Sequence, residues 1–191
     1  IKSRYFFVAL IVLIVGIFIN LVAGIFLFYE KESLPVMSDL ILDNLPLIKS
    51  AYIYNLFSNL VFIILVAYII KKEKYNEIPY FMILFGIFYA IRGVFIILTP
   101  LGNPVPDYNI MMKKLEIFRV GMYPSGHTGS AFLTFLFVKG KYKYLTGICC
   151  IFLIVLLLLA KSHYSIDIFS ALIFAYAIYC FGQKYLVRFK I

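Results

Sequence analysis

An all-α membrane protein, with six transmembrane helices in a single bundle, is the architecture this sequence predicts, and three observations lead to it. Hydrophobic residues fill 64% of the 191 positions and charged residues 14%, with a mean hydropathy of +0.99, whereas a soluble domain is about 45–50% apolar and about 25% charged. Uncharged windows of about 20 residues, long enough to cross a bilayer core as a helix, recur along the whole chain. Lysine and arginine gather in alternate connections between those windows, as they do when one side of a bundle is basic. With no internal repeat and no low-complexity linker, residues 1–191 read as one domain.

The first span, 5–29, follows Lys2 and Arg4 and is too long for the apolar region of a cleaved signal peptide, so it is expected to be permanent. In "LPVMSDLILDNLPLIKS", Pro35 and Pro46 bracket apolar Val36, Met37, Leu40 and Ile41, with Asp39 and Asp43 at helical spacing. That pattern predicts a short helix lying on the membrane surface. The second span, 52–70, leads into Lys71, Lys72 and Lys74, and the third, 78–98, is interrupted by Arg92. Residues 99–125, which include "TPLGNPVPDYN", have the proline and glycine density of an ordered loop.

The fourth span, 126–138, is short, about 20 Å at 1.5 Å per residue, so the segment from Tyr123 to His127 is expected below the membrane surface. Non-helical backbone is tolerated there only where it is buried or lines a polar cavity. Lys139, Lys141 and Lys143 join it to the fifth span, 142–160, and the sixth, 165–183, ends in Lys184, Arg188 and Lys190. The positive-inside rule then puts both termini in the cytoplasm, in a multi-pass cell-membrane protein whose histidines face outward. Much of the net charge of +9 is accounted for by topology and anionic lipid. A nucleic-acid partner is not expected. Cys149, Cys150 and Cys180 all fall inside apolar runs and are expected to pack as small hydrophobes.

The chain holds two histidines, and both border apolar runs on the outward side. His163 and Asp167 in "HYSID" are four apart, so on a helix they share a face, and the carboxylate can fix the imidazole tautomer and raise the basicity of its free nitrogen. In "YPSGHTGSA", Ser125 is a candidate N-cap, and the N–H groups that follow it, with Gly126 allowing close approach, form a candidate anion site beside His127. Arg92 lies about 9 Å inside its span, where an unpaired charge costs several kcal/mol. Together these residues supply a guanidinium, backbone donors and two imidazoles, the parts needed to bind and attack a phosphoryl group.

These motifs resemble those of the type 2 phosphatidic acid phosphatase superfamily of membrane lipid phosphatases and its sphingomyelin-synthase branch. Pro124, Ser125, Gly126 and His127 match the superfamily's Pro-Ser-Gly-His, and His163 and Asp167 match the His and Asp of its last motif. "SHYSID" is closest to the synthase version of that motif. "RGVFIILTP" places Arg92, Thr99 and Pro100 at the Lys, Arg and Pro of the first motif, again as in the synthases. One superfamily arginine, six residues before the histidine, is replaced by Leu157 in the lipid-facing run "LIVLLLLA". Arg119 and Lys161, both expected on the outer side, are candidates to replace the missing cations.

The resemblance implies a lipid phosphatase that cleaves a phosphate monoester or pyrophosphate. His163 would attack phosphorus, Asp167 would orient it, and His127 would serve as acid and then base. Arg92, Ser125 and Gly126 would hold the phosphate. No metal and no cofactor are implied, and the substrate would come from the bilayer. A synthase-like transfer of a phospho-head group to a lipid alcohol is the alternative, with a non-catalytic membrane relative as a further one. A transporter would be expected to show paired broken spans in two related halves, a pattern the sequence lacks.

Overall fold

The computed structural model of the chain describes residues 3–29, 34–48, 51–105 and 121–190. Every regular element among them is a helix: α1 (Ser3–Tyr29), α2 (Leu40–Asn44), α3 (Ala51–Lys71), α4 (Ile78–Leu98), α5 (Gly126–Phe137), α6 (Lys141–Leu159) and α7 (Ser165–Tyr185), with short 3-10 turns at Lys74–Glu77 and Val187–Phe189. Five helices are long and apolar enough to cross a membrane. The exception among the expected spans is α5, whose 12 residues reach only about 18 Å against a bilayer core of about 30 Å.

That short helix is the centre of the bundle. It packs against α6 and α7 and touches α3 and α4, while α3 runs along α6 and α1 runs along α4. The α1–α4 seam is a contact of backbones. A Cβ on Gly16 would overlap the Gly86 carbonyl, and one on Gly93 would come within 2.9 Å of the Asn20 backbone. Small residues at a seam between spans let the helix axes approach in this way. The largest cluster of buried apolar side chains, with Tyr80, Leu84, Phe88, Leu133 and Phe137, fills the half of the bundle toward the lysine-rich end. A second, with Tyr54, Ala131, Leu153, Leu157 and Ile168, joins α3, α5, α6 and α7.

At the other end, connections rather than spans do the packing. Leu42, Met122 and Tyr164 form a small buried cluster. The Tyr164 hydroxyl donates to the Gly102 carbonyl at 3.2 Å and accepts from the Met37 N–H at 3.1 Å. Gly102 N–H reaches the Pro35 carbonyl at 3.0 Å, and Ile48 N–H the Leu159 carbonyl at 2.8 Å. The segments 34–48 and 101–105 are thereby laced over the α6–α7 turn as a roof.

The expected surface helix is shorter than its pattern. It starts at Leu40, not at Val36, because the Asp39 carboxylate caps it, accepting from the N–H groups of Ile41 and Leu42, and because the Met37 N–H is committed to Tyr164. The helical spacing of Asp39 and Asp43 is therefore a cap and a first-turn acid. A second correction concerns Leu157. It does not face lipid; it is fully buried among Tyr54, Ala131 and Ile168, because α3 covers that face of α6. Cys149 and Cys150 are buried apolar residues of the same cluster, and Cys180 is an exposed free thiol.

Candidate active site

The α6–α7 turn sets the first histidine. α6 closes with Ser162 N–H bonded to the Leu157 carbonyl and Lys161 N–H to that of Leu158, and Lys161 adopts the left-handed backbone conformation, φ 48°, that such helix ends use. The chain reverses within five residues, so His163 stands one turn before Asp167 on α7. Its Nδ1 lies 3.3 Å from Asp167 Oδ2. A carboxylate only accepts, so Nδ1 carries the hydrogen and Nε2 keeps its lone pair. The same Oδ2 accepts from the Tyr164 N–H at 2.9 Å, so Asp167 both caps α7 and orients His163. Asp167 is fully buried, and its Oδ1 has no partner among the described residues.

The second histidine is set by the start of α5. Ser125 is its N-cap, with the hydroxyl accepting from the Thr128 N–H at 3.2 Å, while Ser125 N–H donates to the Asp167 carbonyl at 3.0 Å. That bond ties the start of α5 to the first turn of α7. The imidazoles of His127 and His163 consequently face each other, ring centroids 6.0 Å apart at 67°. Tyr54 of α3 closes the far side of His127, at 5.7 Å and 78°. At that separation and angle the two rings sit edge to face, so both imidazoles converge where the start of α5 meets the first turn of α7.

Arg92 completes the site, and it does not snorkel. Its Nε donates to the Pro124 carbonyl at 2.8 Å, Nη2 to the Gly121 carbonyl at 2.7 Å, and Nη1 to Asn20 Oδ1 on α1. Because Arg92 lies six residues inside the end of α4, the segment 121–124 is drawn about 9 Å down into the bundle. Gly126 lies close against Arg92: a Cβ there would sit 3.1 Å from Arg92 Nε, so the guanidinium would have to give by a few tenths of an ångström. The close approach expected at Gly126 is thus made by the arginine. Two of the five guanidinium N–H groups remain without an acceptor among the described residues, as do the N–H groups of Gly126 and His127 in the first turn of α5.

The structure brings together His127, His163, Asp167, Arg92, Ser125 and Gly126. Lys161 lies in the turn two residues before His163, half-buried, and its amine makes no hydrogen bond or ion pair among the described residues. Thr99 is the C-cap of α4, its N–H bonded to the Phe95 carbonyl. Arg119 lies outside the described residues. Among the described residues no three His, Cys, Asp or Glu side chains are grouped as metal ligands.

Two neighbours, Asn20 and Tyr54, were not expected at the site. Asn20 is the single amide in the apolar run 5–29, a lone polar residue in a span and therefore a detectable signal. Tyr54 carried none, since it is one of 16 tyrosines in the chain. No protein-family model matches the sequence, and no curated protein matches it.

Proposed function

We propose that the chain is an integral-membrane lipid phosphatase of the type 2 phosphatidic acid phosphatase kind, working through a phosphohistidine. The observation that carries this reading is the pair of facing imidazoles, one of them oriented by a buried carboxylate and the other in the first turn of a helix whose start lies against a guanidinium. His163 Nε2 forms a bond to phosphorus as the bond from phosphorus to the lipid oxygen breaks, and His127 gives its proton to that oxygen. Water then loses a proton to His127 and attacks phosphorus. The N–P bond breaks and inorganic phosphate leaves.

Negative charge on the non-bridging oxygens is met by the free N–H groups of Gly126 and His127 and by the two unengaged N–H groups of Arg92. Well-placed donors of this kind contribute about 3–4 kcal/mol each to the transition state. The partner-free Oδ1 of Asp167 keeps negative charge beside the ring that becomes positive. All the charge-stabilising groups are protein groups, so neither a metal nor a cofactor enters the sequence of steps. The substrate is a lipid phosphate drawn from the bilayer. The lysine-rich end faces the cytoplasm with both termini, and the histidines face the outer leaflet. A membrane-impermeant thiol reagent then labels a cysteine placed at Asn103 in intact cells and not one placed at Lys72.

One observation favours transfer over hydrolysis. His163 is only 6% exposed, next to Tyr164, which segments 34–48 and 101–105 hold by hydrogen bonds, and an enclosed nucleophile is shielded from water more readily than an open one. Purified protein in detergent, assayed on phosphatidic acid, isoprenoid phosphates and phosphodiester lipids, separates the two. Inorganic phosphate from a monoester supports the phosphatase. A new head-grouped lipid, formed from a phospholipid donor and diacylglycerol or ceramide without free phosphate or phosphoalcohol, overturns it in favour of the transferase.

A further inference from the structure

α1 carries neither histidine, yet it supplies one of the three acceptors that fix Arg92. The Asn20 side chain is short, and it reaches Nη1 because Gly16, Gly86 and Gly93 let the α1 backbone lie directly on α4. The other two acceptors, the carbonyls of Gly121 and Pro124, are the two ends of the segment that leads into Ser125. Gly121 itself is in the left-handed region, φ 83°, with Ile96 packed against its Cα. A planar guanidinium with three nitrogens on three fixed oxygens has one orientation. Remove the α1 acceptor, and the group can rotate about its Nε bond to Pro124, loosening its hold on Gly121.

We propose that Asn20 is a positioning residue: through Arg92 it holds segment 121–124, and with it the first turn of α5 and His127, at the depth from which His163 is faced. Its role in turnover rests on the phosphatase reading of the site; its role in holding the loop does not.

Two readouts keep these apart. In a Cys180→Ser background carrying Tyr123→Cys, the thiol reports how firmly the segment is held, whatever the chemistry. Asn20→Leu, which keeps volume and removes the acceptor, should raise the labelling rate several-fold and lower kcat about 10²-fold, the loss expected of a displacement of about 1 Å, with KM little changed. Asn20→Asp, which keeps an oxygen toward Nη1, should restore both. If Asn20→Leu does not fold, Asn20→Ser, too short to reach Nη1, serves in its place with the same expected result. Unchanged labelling in the variant that folds overturns the positioning role. So does an Asn20→Asp protein that behaves like Asn20→Leu. Increased labelling in a protein that releases no phosphate from any lipid supports the role of Asn20 and counts against the phosphatase reading alone.

Discussion

His163 and His127 face each other across 6.0 Å, but the regions around them are built differently. His163 is tethered. Its Nδ1 is held by Asp167, the next residue is bonded through its hydroxyl to Met37 and Gly102, and His163 is only 6% exposed. No described residue hydrogen-bonds the His127 imidazole, which is half-buried and touched by the rings of Tyr54 and His163. A nucleophile gains from a single fixed geometry, whereas a group that delivers a proton to one oxygen and takes it from another needs room to adjust. On the proposed reading, the tethered His163 suits the nucleophile and the less tethered His127 the acid and base.

The sharpest way to break this assignment is His163→Ala. Loss of the nucleophile should lower turnover at least about 10⁴-fold, with no labelled protein formed from a reactive phosphate ester. Appreciable residual turnover would mean that His163 is not the bonding atom. His127→Ala should lower kcat by about 10²–10⁴, and because attack by water is slowed, acid-labile label should accumulate on His163. If the label is found elsewhere, or none appears, the roles are exchanged or the intermediate is wrong.

Asp167→Asn keeps a cap for α7 and an acceptor beside Nδ1 but removes the charge. A loss of about 10² in kcat, at nearly unchanged KM, is expected from the weaker stabilisation of the cationic ring. An equal fall in His163→Ala and Asp167→Asn, both modest, would count against covalent catalysis.

The smallest effect tests the roof over His163. Burial pushes the Asp39 carboxyl up, but the hydrogen bonds from the Ser165 N–H, Leu42, the Ser165 hydroxyl and Ile41 outweigh it, so its pKa lies below the ordinary carboxylate value. A depressed carboxyl contributes stability that is present above its unfolded pKa of about 3.9 and is lost as the pH falls through the folded value. Asp39→Asn should therefore melt below the parent protein at pH 7, with the gap closing below about pH 4. A gap that stays constant with pH would show that the Ser165 contact does not depend on charge.

The long helices were legible within two residues because each apolar run stops at a lysine, a proline or a cap: Lys71 ends α3, Pro79 opens α4, Ser125 starts α5. The pairing of His163 with Asp167 was equally local, one helical turn, and so was the cap at Ser125. What failed to show was everything fixed by another part of the chain. Leu157 reads as lipid-facing because its neighbours are all apolar, and only the packing of α3 on α6 decides its side. Asp39 was expected on one face of a helix, and the partner that sets it, Ser165, is 126 residues away. Arg92 was legible as a buried charge, but not that three of its N–H groups are used to hold the loop.

The seam between α1 and α4 also has a consequence for how the protein is made. α1 leaves the ribosome before α4, with α2 and α3 between them, so in the interval Asn20 lies in its span without the guanidinium it will meet. A lone amide can wait there. An arginine within a span costs up to about 2.5–3.5 kcal/mol on insertion, and when α4 arrives the acceptor that meets part of this cost has already been made. Chain order places the cheap half of the polar pair ahead of the expensive one, and the glycines on both helices let the two close without rearranging a side chain.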